Sequence, residues 1–192
     1  MRALNRVGMV RIGVTGHRIL TDIEKISAGI DAALRRIERV FPREGITVIS
    51  SLAEGTDRLV ARRVLVRDNA RLVVPLPLPQ ADCLTDFESD ESKREFIDLL
   101  GQAERVVVLP PAPTRNEAYA AAGRYVLDHC SVLLAVWDGR EAQGQGGTSN
   151  IVACARQRGV PFAWVHAGNC KPGTTGPTSL GEEQGKVTFE NL

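Results

Sequence analysis

The 192-residue chain has four cysteines and no C-x-x-C pair: Cys83, Cys130, Cys154 and Cys170 lie far apart. That spacing argues against a zinc site or a disulfide framework, so no metal is expected. Cys130 and Cys154 stand in apolar surroundings and are expected in the core. An excess of charge is also missing. With 24 basic and 23 acidic residues the net charge is +1, which demands no nucleic-acid, membrane or polyanion partner. No apolar run approaches the roughly 20 residues of a membrane span. The stretch after Arg2 and Arg6 is short, is broken by Arg11 and lacks a small-residue cleavage pattern, so a cytoplasmic protein is expected. There is no G-x-x-x-x-G-K-[ST] and no G-x-S-x-G, which excludes a P-loop kinase or ATPase and a hydrolase nucleophile elbow. The three histidines are too scattered for a triad.

What is present is a repeating alternation. Runs rich in Val, Ile and Leu recur at 10–15, 46–51, 72–76, 105–109, 132–137 and 162–166, the pattern of strands buried on both faces. Helical patterns lie between most of them. In the first, Ile23, Ile26, Ile30, Leu34, Ile37 and Phe41 form one apolar stripe. Thr21 and Glu24 read as its capping box, and Pro42 and Gly45 end it. Further helices are expected over 56–67, 92–100, 116–129 and 148–158. In the fourth of these five helices, Tyr119, Gly123 and Tyr125 either line the ligand pocket or, the plainer use of the aromatics, pack into the core.

Strands alternating with helices predict an α/β, Rossmann-like, doubly wound and mainly parallel sheet with helices on both faces. One domain is expected over 1–167, followed by a Gly/Thr/Pro-rich tail over 168–192 in which 187–192 is an optional edge strand. Residues 75–90 read as a long loop.

Ligands in such sheets bind beyond the carboxyl ends of the strands, where strand order reverses. Three strand ends there carry unusual chemistry: Gly16-His17-Arg18, "SSLAEGTD" at 50–57 and "WDGREAQGQGGTSN" at 137–150. Each enters a helix N-terminus, whose unpaired N–H groups and dipole favour an anion. A nucleotide is the simplest ligand with groups for all three. The plain alternative is that Gly16 and Gly55 only shape the backbone. Asp138 either caps a turn with Gly139 or accepts hydrogen bonds from a ribose. "GQGGTS" lacks the third glycine of G-x-G-x-x-G and follows the fifth strand, so dehydrogenase chemistry is not supported.

"SSLAEGTDRLVA", 50–61, resembles the "SGLARGID" stretch of DNA-processing protein A (DprA). "CSVLLAVWDG…GQGGTSNIVACARQRGVPF", 130–162, resembles the LOG ("lonely guy") phosphoribohydrolases and, more loosely, the nucleoside 2-deoxyribosyltransferases. Together these segments resemble the SLOG (Smf/DprA–LOG) superfamily of Rossmann-like nucleotide-binding domains over about residues 11–166. The resemblance implies that Gly146, Gly147 and Thr148 cradle a phosphate, that Gly55 and Thr56 line the neighbouring wall with Ser51 and Glu54, and that Asp138 approaches the sugar. Asp57 binds sugar hydroxyls or stabilises its helix. Arg18 and Arg58 are the expected charged partners of a phosphate, with Gly16 opening room and Arg18 and neutral His17 contacting phosphate or base.

The LOG pattern P-G-G-x-G-T-x-x-E carries a glutamate that works with an upstream arginine on the N-glycosidic bond. Here that position is Ile151, and the arginine is represented only by Arg124, out of step. An oxocarbenium-like transition state needs a nearby anion, so the expectation is a ligand sensor without strong catalysis, needing no cofactor beyond its nucleotide or phosphate ligand. The alternative is an enzyme on a nucleoside or nucleotide N-glycosidic bond with relocated acids, for which Asp57, Asp138 and Glu117 are candidates. Near-neutral charge and 5% aromatic residues weigh against the single-stranded DNA binding of DprA. The resemblance also implies an effector protein as partner and self-association.

Overall fold

The structure is a computed structural model that describes residues 8–42, 45–140, 147–171 and 173–192. The chain runs β1 (Met9–Gly16), α1 (Ile23–Val40), β2 (Gly45–Ile49), α2 (Thr56–Leu65), β3 (Arg71–Leu76), α3 (Gln80–Leu84), α4 (Asp90–Gly101), β4 (Arg105–Val108), α5 (Arg115–His129), β5 (Val132–Trp137), α6 (Thr148–Gln157), β6 (Phe162–His166) and β7 (Val187–Glu190). The α/β Rossmann-like arrangement follows: one seven-stranded sheet ordered β4-β3-β2-β1-β5-β6-β7. Every pairing is parallel except β6 with β7. The chain steps outward from β1 to β4 and then returns to lay β5 against the other side of β1. Strand order therefore reverses between β1 and β5, which opens a crevice at their carboxyl ends.

Alternation along the strands sorts the core into two faces. Val10, Ile12, Val14, Val132, Leu134 and Val136 pack with the stripe of α1 (Ile26, Ile30, Leu34, Ile37), with α2 and with α4. Leu133, Ala135 and Trp137 face the other way, onto Leu127 of α5 and Val152 and Ala155 of α6. Each buried Ile or Leu of the α1 stripe contributes roughly 1.5–3 kcal/mol of burial free energy.

Several expectations need correction. β4 is an edge strand, with Val108 55% exposed, so it is not buried on both faces. The loop expected over 75–90 contains α3, and Pro75 lies inside β3. No capping box forms at Thr21 and Glu24. The residue before α1 is Asp22, in the left-handed region at φ 52°, without a side-chain cap. The reason is tertiary: the Gln184 amide donates to the Thr21 carbonyl at 3.0 Å, and Ser179 donates to the Asp22 carboxylate. A capping box does form at the start of α5, between Thr114 and Glu117. The segment after 168 is more than a tail. It forms β7, and it buries Gln184 to 4% exposure, whose Oε1 accepts from the N–H groups of Gly168 and Leu180. No helix among the described residues is long and apolar enough to cross a membrane.

Candidate functional site

At the end of β1, the His17 N–H extends the pairing by donating to the Val136 carbonyl at 3.1 Å. Its side chain is buried, and Nε2 accepts a hydrogen bond from the Asp138 N–H at 3.0 Å. Burial pushes His17 below the usual histidine range against the opposing pull of the Asp138 carboxylate, so the ring is neutral and ties β1 to β5. The Asp138 carboxylate also accepts from the Arg140 N–H at 3.1 Å. It caps its own turn, the plainer of its two readings.

The turn from β2 into α2 is organised around a buried carboxylate. Ser50 Oγ donates to Asp57 at 3.0 Å and accepts from the Leu52 N–H at 3.1 Å, while Leu52 takes the left-handed region at φ 57°. Burial lifts the Asp57 carboxyl to about 6, opposed by bonds from Ser50 and the N–H groups of Ala53 and Ser51 and by the charge of Arg18. Thr56 closes the helix end, its N–H and hydroxyl both donating to the His17 carbonyl, at 3.1 and 2.9 Å. A Cβ at Gly55 would lie 2.1 Å from the Arg18 carbonyl oxygen, and one at Gly16 would lie 2.4 Å from Thr56 Oγ1. Both glycines are required by the close packing of the β1 end on α2. This N-terminus is filled by the protein's own carbonyl.

Arg58 is not a phosphate partner. It is 2% exposed, donates to the Leu52 carbonyl at 3.0 Å and to Ser92 and Glu95 at the start of α4, and lies 4.3 Å from the Phe87 ring centroid. Its position on α2 faces α4 and the core. Glu54 turns the same way and accepts from the Ser92 hydroxyl.

The start of α6 is different. Gly147 precedes it at φ 109°, and among the described residues nothing lies within 4 Å of a Cβ placed there and no side chain caps the helix. Gly146 lies outside the described residues.

A cavity of about 880 Å³ joins these ends. It brings together Gly16, Arg18, Ser51 and Asp57 with Gly147 and Thr148, across from one side of α5. His17, Glu54, Gly55, Thr56, Arg58 and Asp138 do not line it. Of the three acids named as catalytic candidates, Asp57 and Glu117 line the cavity. Glu117 is engaged in its capping box, accepting from the Thr114 N–H at 2.9 Å. Ile151, at the LOG glutamate position, and Arg124 both line the cavity, and Arg124 has no ion-pair or hydrogen-bond partner among the described residues.

Tyr119 and Gly123 of α5, with Asp86 and Arg115, complete the wall. Tyr119 donates its hydroxyl to Asp86, and burial and that carboxylate together push its phenol up to about 12. Asp86 is held by Arg115 Nε at 2.8 Å, and Arg115 also donates to the Asp82 carbonyl at 2.6 Å. Tyr119 and Gly123 line the cavity, whereas Tyr125 packs into the core and stacks on His129 at 3.9 Å. Cys154 is exposed at the cavity wall rather than in the core; Cys130 is partly buried against both core clusters of that face. Among the described residues no three His, Cys, Asp or Glu side chains are grouped to hold a metal.

Comparison with protein families finds no family that matches the chain, and no curated protein matches it.

Proposed function

We propose that the chain is a SLOG-type module that binds a nucleotide-derived ligand, such as a mononucleotide, an ADP-ribose-like compound or a signalling nucleotide, and reports that binding to an effector protein. The observation that carries this reading is the cavity at the reversal between β1 and β5, with the uncapped start of α6 and the arginines Arg18 and Arg124 on its walls. An uncapped helix start offers N–H donors and a favourable dipole to a phosphate, and Arg124 adds a matched charge. The apolar Ile151 supports binding over bond cleavage, since it supplies no charge to a developing oxocarbenium ion.

A second reading rests on Asp57, a buried carboxyl on the cavity wall held near 6, where it titrates close to neutral pH. A group so tuned suits a general acid or base acting on an N-glycosidic bond.

The test is thermal unfolding of the protein with AMP, ADP-ribose or NAD at millimolar concentration. Ligand at a hundred times its Kd adds about 2.7 kcal/mol of stability, so at least one compound should raise the Tm by several degrees. No shift with any of them would remove the main support of the nucleotide reading. Free adenine released in the AMP sample would favour the second reading.

A further inference from the structure

The two tyrosines of the chain sit on the same helix and do different things. Tyr125 belongs to a core cluster. Tyr119 is half-buried, belongs to none of the three core clusters and lines the cavity. Its ring is fixed at one end by the hydroxyl bond to Asp86, which Arg115 holds in turn. On the ring lies the Arg18 guanidinium, 5.2 Å from the centroid. Arg18 is exposed and has no acid partner among the described residues. Beyond Tyr119, α5 lines the cavity with Ala120, Ala122, Gly123, Arg124 and Val126, the small residues lying next to the ring and the Ile151 side chain packing over Gly123.

Resting on the nucleotide reading above, we infer that Arg18 and Tyr119 form a shelf for the base of the ligand, and that the base is one carrying an amino group. The sequence left Arg18 to a phosphate or to the base, and its surroundings favour the base. Asp57 and Asp86 both line this end of the cavity, and Arg18 acts electrostatically on Asp57 and on Tyr119. Carboxyl oxygens at this end can accept hydrogen bonds from an exocyclic amino group, and the charge of Asp86 is already paired with Arg115. Planar guanidinium and phenol groups stack on the face of any base. The first turn of α6 carries no acid, so the phosphate is left to that end, and the two ends sort the ligand's poles.

The experiment compares AMP with ribose 5-phosphate, which keeps the phosphate and sugar and lacks the base, by calorimetric titration of the wild type, Tyr119→Ala and Tyr119→Phe. The wild type should bind AMP at least about tenfold more tightly than ribose 5-phosphate, the size of one base-stacking contact. Tyr119→Ala should lose that preference with ribose 5-phosphate binding unchanged, and Tyr119→Phe, which keeps the ring, should retain most of it. A folded Tyr119→Ala that weakens both probes alike, or neither, would overturn the shelf and leave the nucleotide reading standing. Failure of both probes to bind the wild type would overturn that reading and the shelf with it. Arg18→Ala alters an exposed side chain and reads out the same preference should Tyr119→Ala fail to fold.

Discussion

The starts of α2 and α6 are built alike and used differently. Each follows a glycine with positive φ, Gly55 at 74° and Gly147 at 109°, and neither has a side-chain cap. At α2 the first turn carries Asp57, Thr56 is fully buried, and the His17 carbonyl takes the hydrogen bonds an anion would take. At α6 the first turn carries no acid, and no described residue comes within 4 Å of a Cβ placed on Gly147. A glycine before a helix is thus either a packing requirement or an approach route for a ligand. What lies opposite decides which.

The sharpest way to break this comparison is to add one methyl group at each glycine. Gly55→Ala should be the most damaging substitution in the turns, because its Cβ meets a backbone carbonyl that cannot move without carrying the β1 end along. A loss above about 4 kcal/mol is expected, read as failure to fold or a collapse of the chemical-denaturation midpoint. A mild effect would mean that the α2 end is not sealed.

The charge difference between the two ends is tested by pH. The folded protein holds a proton on Asp57 up to about pH 6, whereas the unfolded chain releases it near the ordinary aspartate value. This group therefore stabilises fully below about pH 4, and the contribution is lost as pH rises through 6. Asp57→Asn does not titrate. The stability of the wild type relative to Asp57→Asn should fall by about 2 kcal/mol between pH 4 and pH 7. A flat difference across that range would place Asp57 in contact with solvent.

Gly147→Ala should do the least to the fold. Its φ and ψ of 109° and 175° are disfavoured for any side chain, at a cost of about 1–3 kcal/mol, but nothing is displaced. Its main effect should be on ligand, with AMP affinity reduced on the order of tenfold through loss of close approach to the α6 N–H groups. If Gly147→Ala binds AMP as the wild type does, the two helix starts are equivalent after all.

The strands were legible because buried parallel strands are written as uninterrupted apolar runs. β5 and β6 occupy the expected residues 132–137 and 162–166, and the reversal beside β1 follows from the alternation. Directions within the turns were not legible. Arg58 directly follows Asp57, yet one lines the cavity and the other is buried against Phe87, because successive helical residues point roughly 100° apart. Tyr119 and Tyr125, six residues apart, diverge for the same reason. The signal that separates them is Thr114-x-x-Glu117, which sets the start of α5 and hence its faces. The same pattern at Thr21 and Glu24 gave a false start, since the helix begins one residue later, after Asp22, in a corner that Gln184 and Ser179 hold from the far end of the chain.

That glutamine has a consequence for the order of assembly. The bond from Gln184 to the Thr21 carbonyl joins residues 163 positions apart, just beyond the turn that carries Arg18. Contacts of such separation close late, because the chain between them must first lose its freedom. During synthesis β1 emerges early, but the Arg18 turn waits for its outer support until residue 184 has left the ribosome. The cleft is then among the last parts of the molecule to become rigid, after the strands β1–β6 and together with β7.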